Sequence, residues 1–348
     1  MGADACRVNA GINSANYCIF NFPGPVYVRN YNGSCKRIIM TKEFYKNKCT
    51  GTNAGFEKYE NNPVHGGALG TCFDLSMLYE DGIFKMYFSW RDKKSVALST
   101  STDGIHFSYP EILIAPRPTK EGWEDRISRP SVIHNEDGYH MWYTGQRNDT
   151  PRLGTSQIFH AFSTDGVHFE RTSDRPVLLP EVEWENTSIM NPSVLYEAET
   201  HTYKMWFSAG AQYEPKAIGY AESKDGLNWT KCADNPIFQA NPENAWEQHK
   251  TAGCQVIKYK GRYVMFYIGY FDEDYAQIGI AVSNDGIHSW ERYEKNPIIA
   301  PDIDAWDGEA CYKPFAMQHN GNWYLWYNGR KGEKEQIGLV IKKSTELF

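Results

Sequence analysis

No apolar run in the sequence approaches the roughly 18 residues that a membrane-spanning helix needs. The first residues, Met1 to Ser14, hold no basic start followed by an apolar core. As written, the chain is therefore expected to be neither membrane-bound nor exported, and so cytoplasmic; with a leader already removed it would be periplasmic or secreted. Long basic stretches are missing as well. Against 36 Lys and Arg stand 43 Asp and Glu, for a net charge of −7, so nucleic acid is not an expected partner. Neither a CxxC pair nor an HExxH helix occurs, and no metal or other cofactor is expected. Aliphatic heptads are absent too. What is abundant is aromatic: 23 Tyr, 17 Phe and 11 Trp make up 15% of the chain, a composition that favours sheets. Of eight cysteines, Cys72, Cys254 and Cys311 sit among apolar neighbours and read as buried free thiols.

Length alone suggests two domains, but an internal repeat overrides it. Asp-Gly pairs stand at Asp103-Gly104, Asp165-Gly166, Asp225-Gly226 and Asp285-Gly286. Each lies in a phrase Ser-x-Asp-Gly that leads to an aromatic residue: Phe107, Phe169, Trp229 and Trp290. A second series, opened by Met86, Met141, Met205, Met265 and Leu325, marks the middle of five units. Each unit holds about four runs of period-two alternation bounded by turn residues, the pattern of antiparallel strands. Five such units make an all-β, five-bladed β-propeller with four antiparallel strands per blade. The fifth unit stops after its third strand. Glu57-Lys58-Tyr59-Glu60-Asn61-Asn62-Pro63-Val64 matches Glu291-Arg292-Tyr293-Glu294-Lys295-Asn296-Pro297-Ile298 closely, so residues 56–64 are expected to supply the missing outer strand and close the ring. Residues 1–54 are then an N-terminal extension, expected to cover a blade flank, to a propeller domain at 55–348.

In a propeller, the first strand of each blade lines the central funnel, and the loop between the second and third strands returns to its mouth. Residues repeated in every blade serve the blade; charged residues that break the repeat need another explanation. Trp123-Glu124, Trp184-Glu185, Trp246-Glu247 and Trp306-Asp307 recur and read as structural. Alignment of the first strands gives a ring of unlike residues, Asp74, Arg129, Asn191, Gly253 and Lys313. Four positions earlier stands a second ring: Gly70, Asp125, Thr187, His249 and Glu309. The returning loops add Trp90, Arg91, Gln146, Arg147, Glu214, the acidic run 272–274, Asn328 and Arg330. Aromatic faces among amides, guanidinium groups and carboxylates suit a sugar, and the candidate substrate-binding residues are Trp90, Arg91, Arg129, Gln146, Asn191, His249, Lys250 and Lys313.

The Ser-x-Asp-Gly phrases, the inner strands Pro130-Ser131-Val132-Ile133 and Pro192-Ser193-Val194-Leu195, and the second strands of the Met141-Trp142-Tyr143 type carry a resemblance. Over residues 55–348 the chain resembles the five-bladed propeller superfamily of glycoside hydrolase families 43, 32 and 130, which includes arabinanases, β-xylosidases, invertases and mannoside phosphorylases. The resemblance implies cleavage of glycosidic bonds in oligo- or polysaccharides, furanosides such as arabinofuranosides and xylosides included, by two carboxyl groups. It also implies that Asp74, at the family 43 general-base position, is the base. Arg129 stands where that family keeps a second aspartate, and Asn191 where it keeps the acid. The acid is then sought, in order, at Glu309, Glu214 and Asp125, with inversion of configuration. Arg91, Arg129, Lys250 and Lys313 could instead bind an acidic sugar or phosphate. Two alternatives stay open: a glycoside phosphorylase, favoured by a cation cluster in the funnel, and a non-catalytic glycan-binding propeller that has lost its acid.

Overall fold

The computed structural model describes residues 42–47, 49–117, 123–147, 155–211 and 214–348. It also describes three short strands, Cys18–Ile19, Val26–Arg29 and Cys35–Ile38, which form a separate antiparallel sheet. The alternating runs become five blades. Their inner strands are Cys72–Glu80, Arg126–Asn135, Ser188–Glu197, Lys250–Tyr259 and Ala310–His319. Each pairs antiparallel with a second strand, and that with a third. Short outer strands such as Glu111–Ile114 and Glu291–Arg292 finish the blades.

The ring closes as the matched phrases predict. Glu57–Lys58 pairs antiparallel with Val340 and Ile341, the third strand of blade five. The match extends to side chains: Asn62 exchanges two hydrogen bonds with the backbone of Leu339, at 2.8 Å each, as Asn296 does with Ile280. Gly51–Thr52, from the stretch before residue 55, adds to the outer edge of blade four by pairing with Ile299 and Ala300.

The repeated phrase holds neighbouring blades together. In each turn the Asp accepts two backbone amides and the Ser hydroxyl accepts the Gly amide, as with Asp103, Ser101 and Gly104 at 2.8–2.9 Å. The Gly carbonyl then faces the preceding blade. Trp142 donates its indole N–H to Gly226, Trp206 to Gly286 and Trp326 to Gly104, at 2.8–2.9 Å, and Tyr87 donates its hydroxyl to Gly166 at 3.0 Å. Blade five has no Asp-Gly turn, and the preceding blade accordingly carries Phe266, which has no donor. These glycines have φ of +73° to +78°, and a Cβ on Gly104, Gly226 or Gly286 would meet the facing indole at 2.9–3.0 Å.

The Trp-acid pairs also serve the blades. Glu124, Glu185, Glu247 and Asp307 are fully buried. Each meets a cation from its own blade's outer strand: Arg171, Lys231, Arg292 and Lys58. The cation of blade five comes from the closing strand, so the ring is shut by charge as well as by backbone pairing. Cys72, Cys254 and Cys311 are buried free thiols.

Candidate functional site

Each inner strand carries one extra residue just after it enters the funnel, a β-bulge between Phe73 and Ser76, Ser128 and Ser131, Met190 and Ser193, Ala252 and Cys254, and Tyr312 and Phe315. The first ring of the sequence, Asp74, Arg129, Asn191, Gly253 and Lys313, falls at these bulges. Its four non-glycine members have φ of +49°, +57°, +56° and +48°. Left-handed backbone at such residues costs about 1–3 kcal/mol each, and bulges re-aim side chains beside functional sites. Side chains from neighbouring blades brace the strain: Ser89 Oγ accepts the Arg129 amide at 2.7 Å, Thr144 Oγ1 that of Asn191 at 3.2 Å, and Asn328 Oδ1 that of Asp74 at 3.0 Å.

The funnel holds a cavity of about 570 Å³. Asp74, 4% exposed, is at its wall. Asn328 Nδ2 donates to Asp74 Oδ1 at 2.8 Å, and Arg129 Nε reaches Oδ2 at 3.1 Å. Both carboxylate oxygens are thus oriented by the blades on either side. Lys313 lies buried beside them, its Nζ donating to the Cys254 carbonyl at 3.4 Å; burial lowers its pKa, and the charge of Asp74 opposes that. Six cationic side chains line the cavity, Arg91, Lys94, Arg126, Arg129, Lys250 and Arg330; Lys313, expected among the substrate-binding residues, is buried behind the wall and absent from the lining. Arg91 lies over the Phe73 ring at 4.7 Å, Lys250 over the Tyr270 ring at 4.5 Å.

Three more carboxylates reach the cavity: Glu273, Asp274 and Glu335. Glu335, at the start of blade five's third strand, pairs with Arg91 Nη2 at 2.6 Å and accepts from the Tyr312 hydroxyl, which burial and then Glu335 push well above its usual range. Sequence reasoning passed over Glu335, although a signal existed. In the register of Glu335, which pairs with Arg330, blades two and four place small residues, Ser156 opposite Gln146 and Ala276 opposite Tyr270, so Glu335 departs from them there.

Gln146, Asn191 and Lys250 line the cavity as expected, together with Asp74, Arg91 and Arg129. The second ring does not. Asp125, His249 and Glu309 are absent from the lining, and the Glu309 side chain is 45% exposed with Arg330 Nε 3.9 Å away. The bulge explains the difference. Strand side chains alternate, but the extra residue sends both the bulged position and the one before it inward. Alternation therefore continues from Ser128, Ala252 and Tyr312, which brings Arg126, Lys250 and Ala310 to the cavity and turns the residues one earlier away. Trp90 is likewise elsewhere: it is buried, its indole N–H bonded to the Leu69 carbonyl at 2.7 Å, and the next residue, Arg91, faces the cavity instead. Glu214 opens the third strand of blade three; its side chain, with Gln212 and Tyr213, lies outside the described residues. Among the described residues no cluster of His, Cys, Asp and Glu could hold a metal ion.

The chain shares 28% identity over 278 residues with an uncharacterised Mycobacterium tuberculosis protein, covering 75% of this chain and 89% of that one. Over 136 residues it is 33% identical to the 1,2-beta-oligomannan phosphorylase of a Thermoanaerobacter species, 36% of this chain and 44% of the relative. The crystal structure of a thermostable family-43 glycoside hydrolase shares the fold, with a TM-score of 0.63 at 17% identity over 83% of this chain and 92% of that one. The family described as glycosyl hydrolases family 32 N-terminal domain matches residues 76–252, and with this propeller around a funnel-borne Asp74 the chain belongs to that family, within the five-bladed clan of glycoside hydrolases and phosphorylases.

Proposed function

We propose that this protein is a glycoside phosphorylase, cleaving a glycosidic bond with inorganic phosphate. The observation that carries this reading is the gathering of six cationic side chains in the cavity that holds the buried Asp74, one of them, Arg129, against its carboxylate. Hydrolysis needs two carboxyl groups flanking the bond, one to activate water and one to protonate the leaving oxygen. Phosphate is already a nucleophile and an anion, so phosphorolysis needs one acid and a cationic cradle. A phosphate oxygen attacks the anomeric carbon, the bond to the leaving oxygen breaks with its electron pair, and Asp74, which takes up a proton from solvent when Arg129 turns from it to the phosphate, delivers that proton to the leaving oxygen. The products are a sugar 1-phosphate and an alcohol, and solvent reprotonates Asp74. Arg129, held against Asp74, and Arg126 and Lys250, which line the same cavity, are the groups assigned to the phosphate. Partial likeness to the oligomannan phosphorylase supports this reading and makes β-linked mannosides the first substrates to try.

Hydrolysis is the second reading, supported by Glu273 and Asp274, which offer a second carboxyl group at the same cavity. Asp74 would then be the base. A panel of aryl glycosides and mannosides, furanosides included, with and without phosphate separates the two. Phosphate-dependent turnover with a sugar 1-phosphate signal in ³¹P NMR is expected. Equal turnover without phosphate replaces phosphorolysis by hydrolysis, and binding without turnover by either route leaves a glycan-binding propeller.

A further inference from the structure

Residues 42–47 and Cys49 dock on blade four at the loop that returns to the funnel mouth. Helix Lys42–Lys46 carries Tyr45, 6% exposed, whose ring stacks on Phe271 with centroids 4.4 Å apart and meets Tyr275 edge-on at 6.0 Å. Its hydroxyl donates to Gln277 Oε1 at 2.7 Å, and the Tyr275 hydroxyl donates to the Cys49 carbonyl at 3.2 Å. Lys42 Nζ pairs with Asp272 Oδ2 at 2.8 Å.

The loop held this way is a closed turn. Asp272 Oδ1 accepts the amides of Asp274 and Tyr275 at 3.0 and 2.8 Å, and the Phe271 amide donates to the Tyr275 carbonyl at 3.0 Å. One oxygen of Asp272 thus folds the turn while the other ties it to the helix. At the crest stand Glu273 and Asp274, two of the four carboxylates at the cavity. The Asp274 carbonyl accepts from Arg330 Nη2 of blade five at 3.1 Å, so the turn also sets a cation of the wall.

We propose that helix Lys42–Lys46 is a positioning element of the sugar site: Tyr45 and Lys42 hold the 271–275 turn so that Glu273 and Asp274 accept hydroxyl hydrogen bonds from the sugar lying against blades four and five. A carboxylate pair on an otherwise cationic wall is the feature that a neutral, hydroxyl-rich residue of the substrate would recognise. The assignment of sugar as ligand rests on the function proposed above; the tie between segment and turn stands on the contacts alone.

Hydrogen exchange and ligand binding test it with Tyr45→Ala, Lys42→Ala and the conservative Tyr45→Phe in the full chain. Tyr45→Ala is expected to speed exchange of the Asp274 and Tyr275 amides at least tenfold, with the inner strands of blades one and two unchanged; Tyr45→Phe, which keeps the stack, stays near wild type. For aryl glycosides that the wild type binds, by ligand-observed NMR, and cleaves, Tyr45→Ala and Lys42→Ala raise Kd and KM at least fivefold with kcat within twofold. Unchanged exchange in Tyr45→Ala overturns the tie between segment and turn. Faster exchange with unchanged Kd and KM overturns the role in sugar binding. A wild type that binds and cleaves none of the glycosides overturns that role and the proposed function together, while the exchange result still judges the tie.

Discussion

Glu185 is the one buried acid of its ring whose partners are incomplete, and Phe207→Tyr should complete them. In blades two, four and five a tyrosine hydroxyl donates to the acid: Tyr143 to Glu124 at 2.8 Å, Tyr267 to Glu247 at 3.0 Å and Tyr327 to Asp307 at 2.8 Å. Blade three has Phe207 in that register. Its Glu185 takes Lys231 and the amides of Glu181 and Val182 all on Oε2, leaving the buried Oε1 with no partner among the described residues. Phe207 pairs with Gly219 across the strands as Tyr267 pairs with Gly279, so the added hydroxyl starts from the register used in blade four. A hydrogen bond to a charged group contributes about 1.5–3 kcal/mol, part of which is offset by fitting one more atom into a close-packed blade. Phe207→Tyr is expected to stabilise by about 1.5 kcal/mol, a rise of roughly 2 °C in Tm for a chain of this size. Urea and thermal unfolding measure it, with Tyr143→Phe and Tyr267→Phe as mirror experiments that should each lose about 1–3 kcal/mol. If Phe207→Tyr is no more stable than wild type while both mirror variants lose nothing, the hydroxyl–acid contacts do not hold the blades and the reasoning fails.

Asp74→Asn should keep fold and sugar binding while cutting turnover by about 10² to 10⁴, the usual worth of a proton-transfer group; Glu185→Gln, assigned to the blade, should keep turnover, and the reverse pattern would dismiss Asp74. Lys58→Ala should destabilise by about 3–5 kcal/mol, because it strands the fully buried Asp307, 2.7 Å from Lys58, at the ring closure; Lys58→Arg should recover most of it, and a urea midpoint unmoved by Lys58→Ala would refute the charge closure. Stability should also fall with acid between pH 6.5 and 5. Burial holds His65 down to about 4 and His160 to about 3, so below the unfolded value near 6.5 only the unfolded chain takes up these protons. Each histidine then costs about 2 kcal/mol by pH 5, whereas the exposed His168 and His288, raised by their Asp partners, act in the opposite sense and are screened by solvent. Unfolding curves for His65→Gln that keep the full slope over this window would remove His65 as a cause.

The repeat, the five blades and the closing strand were legible in the sequence because they are written in short-range chemistry. Ser101-x-Asp103-Gly104 folds its own turn, the alternation of Met141 to Thr144 fixes which side chains face the core, and Glu57-Lys58 repeats the ion-pairing phrase of Glu291-Arg292. The separation of Glu124, Glu185, Glu247 and Asp307 from the funnel was legible for the same reason, since each follows a Trp in a pair that recurs in four blades. The composition of the funnel was not. A single extra residue in each inner strand shifted the inward face by one position, admitting Arg126 and turning Glu309 and His249 away, and no local pattern announces such a bulge. Glu335 became a wall residue only because Arg91, 244 positions earlier, meets it across the join of the first and last blades. The docking of Tyr45 on Phe271 likewise joins residues that only the closed ring brings together. Which strands form depends on each residue's near neighbours along the chain; which side chains share the cavity depends on how five blades and an N-terminal segment meet around one axis.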